Sequence, residues 1–252
     1  MPHVVTAGQG ENTRKIAALL REGAEPTVVW LGGFKSDMRS TKAEALDAWA
    51  RDKDRSFLRF DYSGHGESDL SFEQGTITLW LEDTMAVLDH FQPQRPILVG
   101  SSMGAWMALL AARECARRGF GAPAALVLIA PATDFTERLM WDRFPEDIRR
   151  TIMQEGVYMR PSLYAEEGYP ITRALIEDGR RHLLFGGPIA TGCPVHILQG
   201  MQDPDVPWEH ALQLVEHLPG DNVSMTLIKD GDHRLSRPED LERLIAAIEA
   251  IA

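Results

Sequence analysis

The sequence predicts an α/β fold in which a mostly parallel central sheet is covered by helices on both faces. Short aliphatic and β-branched runs recur along the 252 residues and are apolar on both sides, as strands buried on two faces must be, whereas half-exposed strands alternate. Amphipathic helical stretches separate the runs, and parallel neighbours need such crossovers. Glycine, proline and aspartate punctuate the ends of both kinds of segment.

The elements follow in order. "RKIAALLREG" from Arg14 fits helical spacing at least as well as strand alternation, yet its place before the first core run suits an edge hairpin, so periodicity leaves both open. "TVVWLGG" from Thr27 reads as the first core strand, and "STKAEALDAWARD" from Ser40 as the helix after it. "FLRFDY" from Phe57 is the next strand, followed by the helix "TLWLEDTMAVLDHF", with Thr78 as its expected N-cap. "PILVGS" from Pro96 leads into "SMGAWMALLAARECARR", a helix that Gly119 should end. After "AALVLIA" from Ala124 the alternation breaks. Residues 133–191, rich in Met, Trp and Tyr, are too long for an ordinary connection and read as a mostly helical cap inserted after the sixth strand of one domain spanning 1–252. "PVHILQG" and "MTLIKD" are the last strands, and Pro207 and Pro238 sit in the first turns of the last helices.

With 37 acidic against 26 basic residues the net charge is -11, which repels nucleic acid and anionic lipid and makes either an unfavourable partner. The first residues lack the apolar core of a secretory signal, and no apolar run is long enough for stable membrane insertion. Cytoplasmic residence is the expectation. Cys115 and Cys193 read as packing thiols of a reducing compartment. Neither metal-ligand spacing nor a phosphate-loop or dinucleotide pattern occurs, so no metal and no cofactor are expected. The oligomeric state is not legible.

The chemistry concentrates at "GSSMG", residues 100–104. A serine hydroxyl becomes nucleophilic only when a base takes its proton, and it must project clear of the sheet to reach an acyl carbon. A tight strand-to-helix turn projects Ser102 in that way, and it crowds the backbone so closely that only glycine fits at 100 and 104. The N–H of Met103, at the first turn of the helix, can then stabilise a developing oxyanion. "LGGFKSD" offers the N–H of Phe34 as the second donor.

The partners should follow along the chain as acid, then histidine. "QGMQDPDVPW" places Asp203 just past a core strand, where ligand-facing residues of such sheets collect; Asp205 and Asp134 are rivals, and any loop aspartate can simply form a turn. "KDGDHR" places His233 after the last strand, with an imidazole able to accept and return a proton near neutral pH. His65, in "DYSGHGESD", precedes Ser102 and suits a loop-tip structural role. His90, His210 and His217 read as exposed on amphipathic helices, His182 belongs to the cap, and His196 reads as a core strand residue.

Together "STKA", "FDYSGHGESD", "ILVGSSMGAW", "YAEEGYP", "CPVHILQGMQDPDVPW" and "DHR" resemble the α/β-hydrolase superfamily, and within it acyl-protein thioesterases and acyl-glucuronide esterases. The resemblance spans nearly the whole chain. It implies that Ser102 is the nucleophile, Asp203 the acid and His233 the base, with oxyanion amides at Phe34 and Met103, and that "RKIAALLREG" is an early strand. It also implies a small ester or thioester, or an acylated protein, as substrate. The absence of an organelle-targeting leader fits a bacterial relative. A general carboxylesterase of small esters and a low-turnover binding protein on the same scaffold are the alternatives. The apolar cap residues suit an acyl chain or simple cap-to-core packing equally well.

Overall fold

The computed structural model describes residues 2–161, 168–220 and 222–251. Its strands are β1 (His3–Ala7), β2 (Arg14–Arg21), β3 (Ala24–Leu31), β4 (Arg55–Phe60), β5 (Ile97–Ser101), β6 (Ala125–Ile129), β7 (Val157–Arg160), β8 (Tyr169–Thr172), β9 (Val195–Gly200) and β10 (Val223–Ile228). The helices are α1 (Thr41–Asp52), α2 (Ile77–Phe91), α3 (Met103–Arg118), α4 (Glu146–Glu155), α5 (Arg173–Gly179), α6 (Trp208–His217) and α7 (Pro238–Ile251). Eight strands form one sheet in the order β1-β2-β4-β3-β5-β6-β9-β10. Across this sheet the strands from β4 to β10 run parallel, while β1 and β2 are antiparallel additions at one edge.

The doubly apolar runs are the reason the centre is parallel and two-sided. Every residue of β5 and β6 is buried, and the sheet separates two hydrophobic clusters, one holding Leu98, Trp106 and Leu128, the other Trp30, Val99 and Leu244. "RKIAALLR" is a strand: β1 pairs with it on one side and β4 on the other, and two ladders of backbone hydrogen bonds outweigh its helical spacing. β3 pairs with both β4 and β5, so the chain crosses over β3 after β4. That reversal of strand order opens a crevice beyond the carboxyl ends of β3 and β5.

Helix starts required one correction. The N-cap of α2 is Thr76, whose hydroxyl accepts the Leu79 N–H at 3.2 Å, not Thr78. Thr78 lies in the first turn and is engaged by Asp178, which accepts its N–H at 2.7 Å and its hydroxyl at 2.8 Å.

The segment between β6 and β9 carries helical turns over Thr136–Arg143, then α4, β7, β8 and α5. It is helical in part, but β7 and β8 pair as an antiparallel ribbon that the composition did not announce. Residues 162–167, including the start of "YAEEGYP", lie outside the described residues. The end of the segment packs on α6, and this overturns the exposed reading of two histidines. His210 is buried with its Nε2–H donated to the Thr133 carbonyl at 2.8 Å, and His217 is half-buried, both rings lying against Phe185. His196 is half-buried rather than core, held between the hydroxyls of Ser224 and Thr226 near the sheet edge. Cys115 and Cys193 are half-buried free thiols. Among the described residues no helix is long and apolar enough to cross a membrane.

Candidate active site

Ser102 stands between the last residue of β5 and the first of α3, with φ 56° and ψ -117°. That left-handed backbone is costly for a residue with a side chain. Surrounding contacts impose it: the Ser102 N–H donates to the Ile129 carbonyl at 2.8 Å, and its own carbonyl accepts the Ala105 and Ala132 N–H groups. The flanking glycines are required by space. A Cβ on Gly100 would sit 2.3 Å from the Gly104 oxygen, and one on Gly104 would sit 2.0 Å from the Leu31 oxygen.

The Ser102 hydroxyl donates to His233 Nε2 at 3.1 Å, and His233 Nδ1–H donates to Asp203 Oδ2 at 2.8 Å. These residues follow β5, β9 and β10, so three strand ends converge on one chain of hydrogen bonds. Asp203 is aimed by its own loop. Its Oδ1 accepts the N–H groups of Asp205 and Val206, each at 2.8 Å, and its side chain is fully buried. A buried carboxylate held this way fixes the orientation of the His233 ring.

Phe34 and Met103 both line the cavity into which Ser102 opens. The loop carrying Phe34 presses against the elbow, for a Cβ on Gly33 would be 3.5 Å from the Ser102 Cβ. His65 fastens this loop from behind. Its Nε2 accepts the Lys35 N–H at 3.0 Å, which leaves Nδ1–H to donate to the Ser63 carbonyl at 3.2 Å. The ring lies edge-on to Phe72 and Trp80, and burial pushes its pKa down to about 4, keeping it the neutral acceptor that Lys35 requires. Asp61 adds a second brace, accepting the Met38 N–H at 2.6 Å and the Glu67 N–H at 2.8 Å. A Cβ on Gly66 would overlap that carboxylate, so "GHGES" is a loop brace.

The rival acids stand elsewhere. Asp134 is buried and accepts the N–H groups of Leu184 and Phe185 at 2.8–3.0 Å, tying the loop after β6 to the end of the inserted segment. Asp205 lines the cavity opposite Arg160, 3.7 Å away. Asp203, Asp205 and His233 are the one group of potential metal ligands gathered among the described residues. They fit an ion poorly, because Nδ1 of His233 and both oxygens of Asp203 are already engaged.

One residue of the site was missed from sequence. Gln199, fully buried at the end of β9, lies with Nε2 3.4 Å from Asp203 Oδ2 and donates to the carbonyls of Gly200 at 2.9 Å and Val206 at 3.0 Å. The available signal was an amide directly after the apolar pair Ile197 and Leu198 in the strand "VHILQG".

On the apolar side of Ser102 the cavity holds about 260 Å³, with Phe135, Leu139 and Met140 of the inserted segment in its wall.

Residues 28–246 match the model of the alpha/beta hydrolase family. The palmitoyl-protein thioesterase ABHD10 of Bos taurus, a mitochondrial protein, is 33% identical over 229 residues, covering 90% of this chain and 73% of the relative. The solved structure of alpha/beta hydrolase domain-containing protein 10 from mouse superposes with a TM-score of 0.88 at 32% identity, over 99% of this chain and 98% of the other. A crystal structure of a protein from Agrobacterium vitis S4 superposes with a TM-score of 0.97 at 51% identity, over 100% of this chain and 98% of that one.

Proposed function

This chain belongs to the alpha/beta hydrolase family, and on that premise we propose that it is a serine hydrolase of thioesters or carboxylic esters, working through an acyl-enzyme. The observation that carries this reading is the unbroken path from the Ser102 hydroxyl through both nitrogens of His233 to Asp203. In the first half-reaction Ser102 Oγ bonds to the acyl carbon while its proton passes to His233 Nε2. The N–H groups of Phe34 and Met103 take the charge that develops on the carbonyl oxygen. The bond to the leaving oxygen or sulfur then breaks, and His233 returns the proton to it. In the second half-reaction water gives a proton to His233 and adds to the acyl carbon; the bond to Ser102 then breaks, His233 returns that proton to the serine oxygen, and the acid is released.

We read residues 133–191 as a cap inserted within one domain of 1–252, and its described residues Phe135, Leu139 and Met140 as the wall that receives the acyl group. The name of the mammalian relatives supports an acyl chain as that group and an acylated protein as a partner class. Two free cysteines support residence in the reducing cytoplasm.

The test is intact-mass detection of a fluorophosphonate adduct, followed by kcat/KM for matched acyl thioesters, p-nitrophenyl esters and acyl glucuronides across a chain-length series. Wild type is expected to gain one adduct and to prefer longer chains. Ser102→Ala should lose the adduct and on the order of 10⁴-fold or more in kcat. Folded wild-type protein that neither labels nor turns over any of these esters would be a binding protein instead.

A further inference from the structure

A second cavity adjoins Ser102 on the side away from the apolar wall, and it has different chemistry. It holds about 470 Å³ and shares Phe34, Ser102, Tyr169 and His233 with the first. Its own wall brings together "STKA" at the start of α1 and "DHR" after β10, two motifs for which the hydrolytic path supplies no role beyond His233. Lys35, Lys42 and Arg234 line it, and no carboxylate does among the described residues. In a molecule with a net charge of -11 this is a local reversal of sign, beside the reacting serine.

Lys42 is half-buried, with its Nζ donating to the Arg234 carbonyl at 2.5 Å and to Ser236 Oγ at 3.2 Å. Lys35 Nζ donates to the Gly168 carbonyl at 3.3 Å and lies over the Tyr169 ring. Among the described residues neither ammonium has a carboxylate at ion-pair distance. Two further donors in the same wall lack partners there: the Trp30 indole N–H, on a residue 1% exposed, and the hydroxyl of Ser40, which as N-cap of α1 caps nothing with its side chain. Buried donors without acceptors are costly unless a ligand or water fills them, and the open first turn of α1 favours negative charge.

We propose that this cavity is the leaving-group subsite and that it selects esters or thioesters whose leaving group carries an oxyanion, a carboxylate or a phosphate, held by Lys42 and Lys35. The proposal rests on the hydrolase reading above, which places the acyl group in the apolar cavity. The reacting carbonyl then sits between two pockets of opposite character, and His233, in the wall of both, returns its proton toward the anionic side.

The test compares octanoate esters of 3-hydroxybenzoic acid, of 3-hydroxyphenyl phosphate and of 3-hydroxybenzamide. The anionic esters are expected to exceed the amide in kcat/KM by on the order of tenfold, the strength of a charge-assisted contact. The carboxylate and phosphate arms show which oxyanion fits. Lys42→Met should bring the ratio close to one, and Lys42→Arg should restore it. Each ratio is taken within one preparation, so partial misfolding cancels. Burial, then the charge of Arg234, lowers the Lys42 pKa to about 8, against the pull of Asp232 and Asp240. The wild-type ratio should therefore decline as pH rises through that region, while the Lys42→Arg ratio persists. Calorimetric binding of 3-hydroxybenzoate and 3-hydroxybenzamide to Ser102→Ala reads the subsite without turnover. Equal binding of acid and amide, or absence of both, overturns the proposal. Preferential acid binding without hydrolysis by wild type upholds the subsite and overturns the hydrolase reading alone.

Discussion

Gln199 lies one layer behind the reacting atoms and touches none of them, yet its amide joins the end of β9 to the loop that holds Asp203. Removing it leaves the carbonyls of Gly200 and Val206 short of a donor and loosens the carboxylate beneath His233. Gln199→Leu is therefore expected to lower kcat about fivefold, the worth of about 1 kcal/mol of hydrogen bonding, with KM nearly unchanged because Gln199 lines neither cavity. Steady-state kinetics on one acyl ester decides this; a rise in KM at constant kcat would mean the amide shapes the pocket. At this scale the site was legible where covalent geometry leaves few choices. A serine between two glycines at a strand end announces a crowded strand-to-helix turn, and the Cβ clashes at Gly100 and Gly104 are the physical form of it. Gln199 was not legible, because a single buried amide acquires meaning only from the turn of the following loop, which brings Gly200, Asp203 and Val206 around it.

At the scale of elements, the parallel core was legible and its margins were not. β5 and β6 are buried on both faces, so their composition alone distinguishes them. β2 mixes the two periodicities and is decided by its neighbours, and the β7–β8 ribbon is four residues a side, too short for a pattern to emerge. The segment between β6 and β9 is fastened at identifiable points, and Asp134 is the most concentrated of them. Its φ of 57° is a conformation aspartate and asparagine tolerate, and its carboxylate meets two buried N–H groups. Asp134→Ala should cost about 2 kcal/mol or more, since both donors lose their acceptor, whereas Asp134→Asn keeps one oxygen and should cost less. Urea midpoints rank the variants. Equal losses for the two would show that one oxygen is not enough and that the whole carboxylate is what the two N–H groups require.

Across the whole molecule, buried histidines link folding to pH. His65 braces the Phe34 loop and His210 lies against Phe185 near the end of the segment between β6 and β9, and burial lowers both to about 4 from an ordinary 6.5. His182 and His196 are lowered in the same direction and for the same reason. Between pH 6.5 and 4 the unfolded chain protonates these rings while the folded chain keeps them neutral. The unfolded state then binds more protons, so stability falls as pH falls through this window and levels off below it. Asp61, Asp83 and Asp134, raised by burial, act in the opposite sense above the ordinary carboxylate range, which makes a variant comparison the clean measurement. His210→Gln removes one titrating group and retains an N–H for the Thr133 carbonyl. Wild type should lose about 2 kcal/mol more than this variant between pH 7 and pH 5, read from urea unfolding at each pH. Parallel losses in the two proteins would mean that the His210 ring takes up its proton in the folded state as readily as in the unfolded one, and that its burial does not exclude the charge.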